Sequence, residues 1–148
     1  MLKSLKVAAA AALFCLIPVQ AGDLDPKALQ YKNADQIKFT GNPGGTQQSV
    51  LFGDPTKEGL YGILIKWAPH TGSRPHFHPN DRFIYVISGT WWVGTGPKYD
   101  ADNMTAMKAG TFVTHTGKGI HYDGAKDEPA VLEIVGMGPA TSTNAEQK

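Results

Sequence analysis

The fold of this chain is decided by the stretch Arg74-Pro75-His76-Phe77-His78-Pro79-Asn80-Asp81-Arg82-Phe83-Ile84-Tyr85-Val86-Ile87-Ser88-Gly89. Its apolar run, 83–87, is typical of a central β-strand that is covered on both faces, and Ser88-Gly89 is a turn signal. Side chains two residues apart in a strand point to the same face, so His76 and His78 can converge on one ion. Neutral imidazole is a ligand for Zn, Fe, Cu, Ni and Mn.

The rest of the sequence predicts an all-β protein. Its 17 glycines and 10 prolines separate short β-like runs. Strands are predicted at 37–40, 48–52, 60–67, 82–87, 90–95, 111–115 and 130–135. Many short strands joined by turns favour a sandwich or a small barrel. Short helices are predicted only at 26–32 and 103–108.

The N-terminus has the pattern of a secretory signal peptide. Lys3 and Lys6 precede an apolar run at 7–17, and Pro18-Val19-Gln20-Ala21 follows as a cleavage site. The apolar run is too short for a transmembrane helix. We therefore predict a signal peptide at 1–21 and a periplasmic or secreted mature chain. The predicted mature chain has a lead-in segment at 22–41, a barrel at 42–139 and a flexible tail at 140–148.

Composition excludes several classes of function. The single cysteine, Cys15, lies in the predicted signal peptide, so disulfides and thiolate chemistry are not expected in the mature chain. Removing Lys3 and Lys6 from the 14 basic residues leaves 12 against 13 acidic ones. Without a basic stripe, nucleic acid is not an expected partner. No second apolar segment of membrane length follows, so no membrane partner is expected after cleavage.

A second pair of histidines follows later in the chain. His115 ends a β-like run, and His121 follows Gly117-Lys118-Gly119, where glycine permits a sharp turn. A mononuclear site usually takes three or four protein ligands. An isolated H-x-H pattern also occurs at solvated strand edges, but the later turn into His121 favours a metal site. The candidate ligands are His76, His78 and His121, with His115 as a candidate fourth.

These two segments resemble the two sequence motifs of the cupins. The first motif is H-x-H, a few residues, a glutamate and an apolar strand that ends at glycine. The second is Gly110-Thr111-Phe112-Val113-Thr114-His115-Thr116-Gly117-Lys118-Gly119-Ile120-His121. The resemblance covers about 42–139 and is closest to small exported single-domain cupins. It implies a double-stranded β-helix (jelly-roll) barrel whose mouth holds a divalent transition metal: Zn, Fe, Mn, Ni or Cu.

The chain departs from the cupin pattern at two positions. The glutamate ligand of the family corresponds to Arg82, which has no lone pair to offer a metal, and Thr116 replaces a proline. One interpretation is that the histidines alone bind the metal. A second, compatible with the first, is that Arg82 anchors an anionic substrate, such as a carboxylate. The third is an inactive site in which Arg82 pairs with a neighbour such as Asp81.

Three hypotheses about function follow. The resemblance to cupins implies a metal-dependent, dioxygenase-like enzyme that acts on a small molecule, which is anionic under the interpretation that Arg82 anchors it. The lost carboxylate ligand favours instead a non-catalytic periplasmic module that binds a metal or a small ligand. A third hypothesis is a scaffold that forms a homodimer through outer strands, as barrels of this kind often do.

Overall fold

The computed structural model describes residue 22 and residues 24–148, so the predicted signal peptide, with Cys15, lies outside the described residues. The chain divides into two units between Tyr31 and Lys32. In the first unit, residues 26–28 form a turn rather than part of the predicted helix. The Asp25 side chain accepts the Lys27 N–H at 2.9 Å, a local bond that competes with helix formation. Within the described residues, no helix is long and apolar enough to span a membrane.

The regular secondary structure of the second unit is almost entirely β-strand. A short 3₁₀ turn, Ala34–Gln36, precedes the strands. The described strands are β1 (Thr40–Gly41), β2 (Thr46–Phe52), β3 (Gly59–Trp67), β4 (Thr71–Gly72), β5 (His76–Phe77), β6 (Arg82–Ser88), β7 (Thr90–Thr95), β8 (Thr105–Lys108), β9 (Phe112–His115), β10 (His121–Ala125), β11 (Ala130–Gly138) and β12 (Thr143–Asn144).

The strands form two antiparallel sheets. Sheet one has the order β1-β2-β3-β11-β6-β9, and sheet two has the order β12-β5-β10-β7-β8, with β4 also paired to β10. The predicted all-β jelly roll is confirmed. The predicted turn at Ser88-Gly89 is also present: Gly89 has φ +71°, and a Cβ there would lie 2.0 Å from the Pro129 carbonyl oxygen. Glycine is therefore required where β6 turns into β7.

The hydrophobic core lies between the two sheets. Trp91 and Tyr61 are fully buried, and each large apolar side chain removed from water contributes roughly 1.5–3 kcal/mol. Leu132 on the central strand β11 joins them. The remaining members of the cluster are Ile63, Trp67, Ile84, Val86, Val93, Ala125, Ala130 and Ile134.

Strand β6 is covered on one face only. Ile84 and Val86 are fully buried, whereas Phe83, Tyr85 and Ile87 are 47%, 47% and 46% exposed. The prediction that this strand is covered on both faces was therefore wrong. The Phe83 ring stacks on Phe112 of the neighbouring edge strand β9, with centroids 6.5 Å apart. Sheet one consequently presents apolar side chains on its outer face.

Two other segments differ from the sequence prediction. Residues 103–108, predicted as a helix, contain strand β8, which pairs with β7 and places Met107 opposite Trp91. Residues 140–148, predicted as a flexible tail, contribute β12, where Thr143 pairs with Phe77 and Asn144 with His76. Tertiary pairing outweighs local propensity in both segments.

Candidate metal centre

Three histidines converge in sheet two. His76 in β5 and His121 in β10 lie directly opposite each other in the antiparallel register, with ring centroids 4.5 Å apart. His78 lies just beyond the end of β5. One ligand nitrogen from each ring lies within 4.8 Å of the other two. We call His76, His78 and His121 the histidine trio.

Backbone carbonyl groups fix the tautomer of each ring in the trio. Each Nδ1–H donates to a carbonyl oxygen: His76 to Arg74 at 2.8 Å, His78 to Thr141 at 2.8 Å and His121 to Gly119 at 2.9 Å. A carbonyl only accepts, so each Nδ1 carries the proton and each neutral ring keeps its lone pair on Nε2. This is the usual way in which proteins orient metal-binding histidines.

The spacing of the Nε2 atoms fits a metal ion. The Nε2 atoms of His76 and His78 are 3.2 Å apart, although neither neutral ring has a proton there to donate to the other. Two nitrogens each about 2.05 Å from one tetrahedral zinc ion lie about 3.3 Å apart. The Nε2 of His121 is buried and has no hydrogen-bond partner in the described part of the chain. The donor set therefore suits a divalent transition metal.

Two members of the trio, His78 and His121, are held in their neutral form by a lowered pKa. Burial, followed by the nearby charge of Arg82, lowers the pKa of His78 to about 3. Burial also lowers the pKa of His121. Neutral imidazoles keep their lone pairs available for a metal at physiological pH.

Arg82 reaches the trio from the other sheet. It lies at the start of β6, and its Nη1 donates a hydrogen bond to Nε2 of His78. The pairing with Asp81 considered from the sequence is not among the ion pairs of the described residues, and Asp81 instead accepts the Gly117 N–H at 2.7 Å. The ion pairs among residues 24–148, Lys57 with Asp54 and Arg74 with Glu146, do not include Arg82.

His115 lies beside the trio but not within it. It is opposite Arg82 in the pairing of β9 with β6, and its ring centroid is 3.8 Å from that of His121. Its two nitrogens are buried and find no partner among the residues described, and burial lowers its pKa to about 2. A role as fourth ligand stays a prediction.

Two supports of the site were missed by the sequence reasoning. The carbonyl of Thr141, which orients His78, belongs to the predicted tail, and a backbone acceptor has no side-chain signature that could reveal it. Second, the Lys118 N–H donates to the His78 carbonyl at 2.7 Å, which joins the two histidine motifs. The Gly-x-Gly turn before His121 was the available signal for this contact.

Two cavities adjoin the trio inside the barrel. One, of about 300 Å³, is lined by His78 and Arg82 together with Gln48, Pro55, Thr56, Ile63, Ile65 and Ala140. The other, of about 160 Å³, also includes His78 and Arg82 in its wall. A larger cleft of about 500 Å³ includes Trp92 and Tyr99, but the cations there rest on aromatic rings, such as Lys126 on Trp92 at 4.0 Å. The convergent nitrogens favour the barrel interior as the site.

Comparison with solved structures identifies the fold. The chain is similar to the polyketide cyclase RemF from Streptomyces resistomycificus, with 16% identity, a TM-score of 0.66 and coverage of 81% of this chain and 87% of that one. It is similar to an RmlC-like cupin from Shewanella frigidimarina, with 17% identity, a TM-score of 0.59 and coverage of 76% and 92%.

A third similar structure is a double-stranded β-helix protein from Klebsiella pneumoniae, with 20% identity, a TM-score of 0.61 and coverage of 80% of this chain and 99% of that one. No protein-family model and no curated protein matches the sequence. The predicted cupin fold, a double-stranded β-helix, is confirmed. Likeness at this level of identity establishes the fold, and function has to be argued from the site.

Proposed function

We propose that this protein binds one divalent transition metal (Zn, Fe, Mn, Ni or Cu) through Nε2 of His76, His78 and His121. The observation that carries the proposal is that all three Nδ1–H groups donate to backbone carbonyls, so that Nε2 is the nitrogen of each ring left to coordinate, and one ligand nitrogen from each ring lies within 4.8 Å of the other two. Geometry of this kind is costly to assemble from buried polar groups without a ligand to satisfy them.

We further propose that the bound metal serves oxygenase-like chemistry on a small molecule held in the adjoining cavities. A metal with three histidine ligands and open positions can polarise an oxygenated molecule or activate oxygen. The residues of the chain supply the surroundings of the small molecule: Ile63 and Ile65 give the cavity an apolar wall, and Arg82 gives it a positive charge. A polyketide cyclase among the similar structures is consistent with catalysis on this fold.

The alternative function is a binding protein without turnover. One observation favours it: Arg82 stands where the cupin pattern has a carboxylate ligand, and its Nη1 occupies the lone pair of His78. A metal site with fewer anionic ligands binds a divalent cation less tightly. Under this alternative, the protein holds a metal or a small ligand in the barrel and releases it unchanged.

Metal analysis tests the proposal directly. Protein purified without an affinity tag is expected to contain about one equivalent of metal by elemental analysis, and His76→Ala and His121→Ala are expected to lose most of it. His70→Asn is the matched control, because His70 is an exposed loop residue at φ +57°, a conformation that asparagine tolerates. Wild type that takes up no metal even when it is supplied would contradict the proposal.

Oxygen uptake separates the two functions. Metal-loaded protein is incubated with small carboxylic acids and phenols while dissolved oxygen is measured. Oxygen consumption that requires His121 supports the enzyme, whereas binding of the small molecule without oxygen consumption supports the binding protein.

A homodimer through outer strands stays a prediction. Sedimentation at several protein concentrations tests it.

We also propose that the protein acts in the periplasm or outside the cell. The charged and apolar N-terminal pattern supports this location. N-terminal sequencing of the protein from a fractionated culture tests it. The expected mature N-terminus is Gly22, in the exported fraction.

A further inference from the structure

A metal ion and the guanidinium of Arg82 compete for one lone pair in the site, that of His78 Nε2. The Nδ1–H of His78 donates to the Thr141 carbonyl, so Nε2 is the only nitrogen of this ring that can accept or coordinate. Arg82 Nη1 donates to this same Nε2. The nitrogen also belongs to the trio. A guanidinium hydrogen bond and a metal bond at one lone pair exclude each other.

Among the described residues, the guanidinium of Arg82 forms no ion pair with a carboxylate. Its Nε is buried and has no hydrogen-bond partner within residues 24–148. The buried carboxylate of Asp123 is already engaged, since Oδ1 accepts from the Ser73 hydroxyl and Oδ2 accepts from Trp91 Nε1 at 3.1 Å. A half-buried charge whose Nε is buried and unpaired is costly, so this guanidinium is a ready receptor for an anion.

The adjoining cavity favours a particular kind of anion. Arg82 forms part of the wall of the 300 Å³ cavity, whose other side chains include Pro55, Ile63 and Ile65. This volume is at the lower end of the range for small-molecule sites. A planar carboxylate matches the fork of a guanidinium, and a short hydrocarbon portion matches the apolar wall. The chemistry therefore fits a small organic monocarboxylate better than an inorganic anion.

We propose that a small monocarboxylate binds Arg82 in this cavity, draws the guanidinium away from His78 and thereby raises the affinity of the histidine trio for metal. The inference rests on the proposed metal binding and adds a ligand class and a regulatory role for Arg82. Linkage makes the coupling reciprocal, so metal also raises the affinity for the carboxylate. Arg82 is here a positioning residue, because it acts on the metal through His78.

The test measures metal affinity rather than activity. Metal-free protein is titrated with Zn²⁺ in competition with a chromophoric chelator. The titration is carried out in propionate or benzoate and is repeated in chloride or phosphate at equal ionic strength. For wild type, the carboxylates are expected to tighten Zn²⁺ binding about tenfold, within the usual range of coupling between two sites, and the inorganic anions to leave it unchanged. Arg82→Gln is expected to bind Zn²⁺ about tenfold more tightly than wild type in chloride and not to respond to carboxylate.

Controls separate this effect from general charge effects and from misfolding. Lys66→Gln removes an exposed positive charge from β3, next to the cavity residue Ile65, and is expected to behave as wild type. Thermal unfolding verifies that each variant is folded. If the Arg82→Gln variant does not fold, Arg82→Met is used in its place.

The outcomes distinguish the coupling from the metal site itself. If wild type binds Zn²⁺ with the same affinity in carboxylate and in chloride, the proposed coupling is overturned but the proposed metal site is not. An equal response in Arg82→Gln also overturns it, because the carboxylate would then act on the metal directly. Failure of wild type and Arg82→Gln to bind Zn²⁺ under every condition overturns the proposed metal binding as well.

Discussion

The orientation of His78 differs from that of the other two histidines. His76 and His121 each donate to a carbonyl two residues earlier in the chain, so their tautomers depend on local backbone. His78 donates to Thr141, 63 residues later. Sequence spacing could predict which histidines converge, because strand parity and a glycine turn are local signals. It could not predict the acceptor of His78, because any residue can offer a carbonyl.

The hydrogen-bond partners of Asp123 are a second feature that the sequence could not predict. Its position two residues after His121 agrees with a barrel interior, but its partners, Ser73 and Trp91, come from the loop before β5 and from β7, respectively. Strand parity also predicts that Trp91 and Trp92 face opposite sides, and Trp91 is indeed fully buried while Trp92 is half-buried. The partner of the Trp91 N–H depends on a long-range contact that the sequence does not encode locally.

Replacing Asp123 with alanine is expected to reduce the free energy of unfolding by about 1–3 kcal/mol, the cost of one unsatisfied buried group. The substitution leaves the buried Trp91 N–H without its acceptor, whereas the Ser73 hydroxyl, which loses Oδ1, can still donate to the Asp123 carbonyl oxygen at 3.3 Å. Urea denaturation measures the change. Asp123→Asn keeps the shape and one acceptor oxygen, so a smaller loss is expected. A loss below about 0.5 kcal/mol in Asp123→Ala would show that the network does not stabilise the fold.

Among the elements, the longer strands were predictable and the short ones near the site were not. Strands β3, β6, β7 and β11 carry enough apolar residues to be recognised. Strand β10 was not predicted, because Asp123-Gly124 has the composition of a turn. It forms because β4, β5 and β7 all pair with it. Neighbouring strands, rather than local propensity, determine the part of sheet two that holds His121.

Deletion of residues 141–148 is expected to weaken metal binding by about 10- to 100-fold, the usual effect of losing a group that orients a ligand. The deletion removes the Thr141 acceptor and the pairing of β12 with β5. Competition with a chelator measures the affinity, and thermal unfolding establishes that the shortened chain is folded. Glu146→Gln is the control, since it removes the ion pair with Arg74 and keeps the Thr141 carbonyl. Unchanged affinity in a folded, shortened chain would contradict the role of Thr141.

The loop between β2 and β3 is expected to loosen in acid. The Thr56 hydroxyl, followed by Lys57, lowers the pKa of Asp54 from 3.8 to about 2. A depressed folded-state pKa contributes stability that is present above the unfolded value and is lost as the pH falls from about 3.8 towards about 2. Amide hydrogen exchange at Thr56 and Lys57 measures the opening. Relative to wild type, Asp54→Ala should exchange faster at pH 5, and the difference should shrink as the pH falls through about 2. A difference that is as large at about pH 1 as at about pH 5 would contradict the assignment to Asp54.

At the scale of the whole molecule, the sequence predicted the architecture better than the surfaces. The glycine-punctuated strands and the two histidine motifs were sufficient for the jelly roll, because a sheet with one apolar face must pack against another. The covering of β6 was predicted wrongly, since an apolar strand residue at a surface and one in a core have the same sequence signal. Which face is covered depends on the three-dimensional packing of all the strands.

Metal binding is expected to stabilise the entire second unit. The trio joins β5 and β10, and Arg82 and His115 approach from sheet one, so the site forms only in the folded state. A ligand present at 100 times its dissociation constant adds about 2.7 kcal/mol, which corresponds to a rise of roughly 8 °C or more in Tm for a domain of this size. Calorimetry with and without Zn²⁺ measures the shift. His121→Ala should abolish the shift and His70→Asn should retain it, and a full shift in His121→Ala would place the metal elsewhere.

The distance along the chain between His78 and Thr141 affects when the centre can assemble during biosynthesis. A polypeptide emerges from the ribosome, or from a translocation channel, beginning at its N-terminus, so both H-x-H histidines are out before residue 141 is available. Until then the Nδ1–H of His78 lacks the Thr141 acceptor of the folded chain, and His78 is not held in its folded orientation. Under the proposed export, the compartment in which the chain completes its folding therefore determines which metal is available to the finished site.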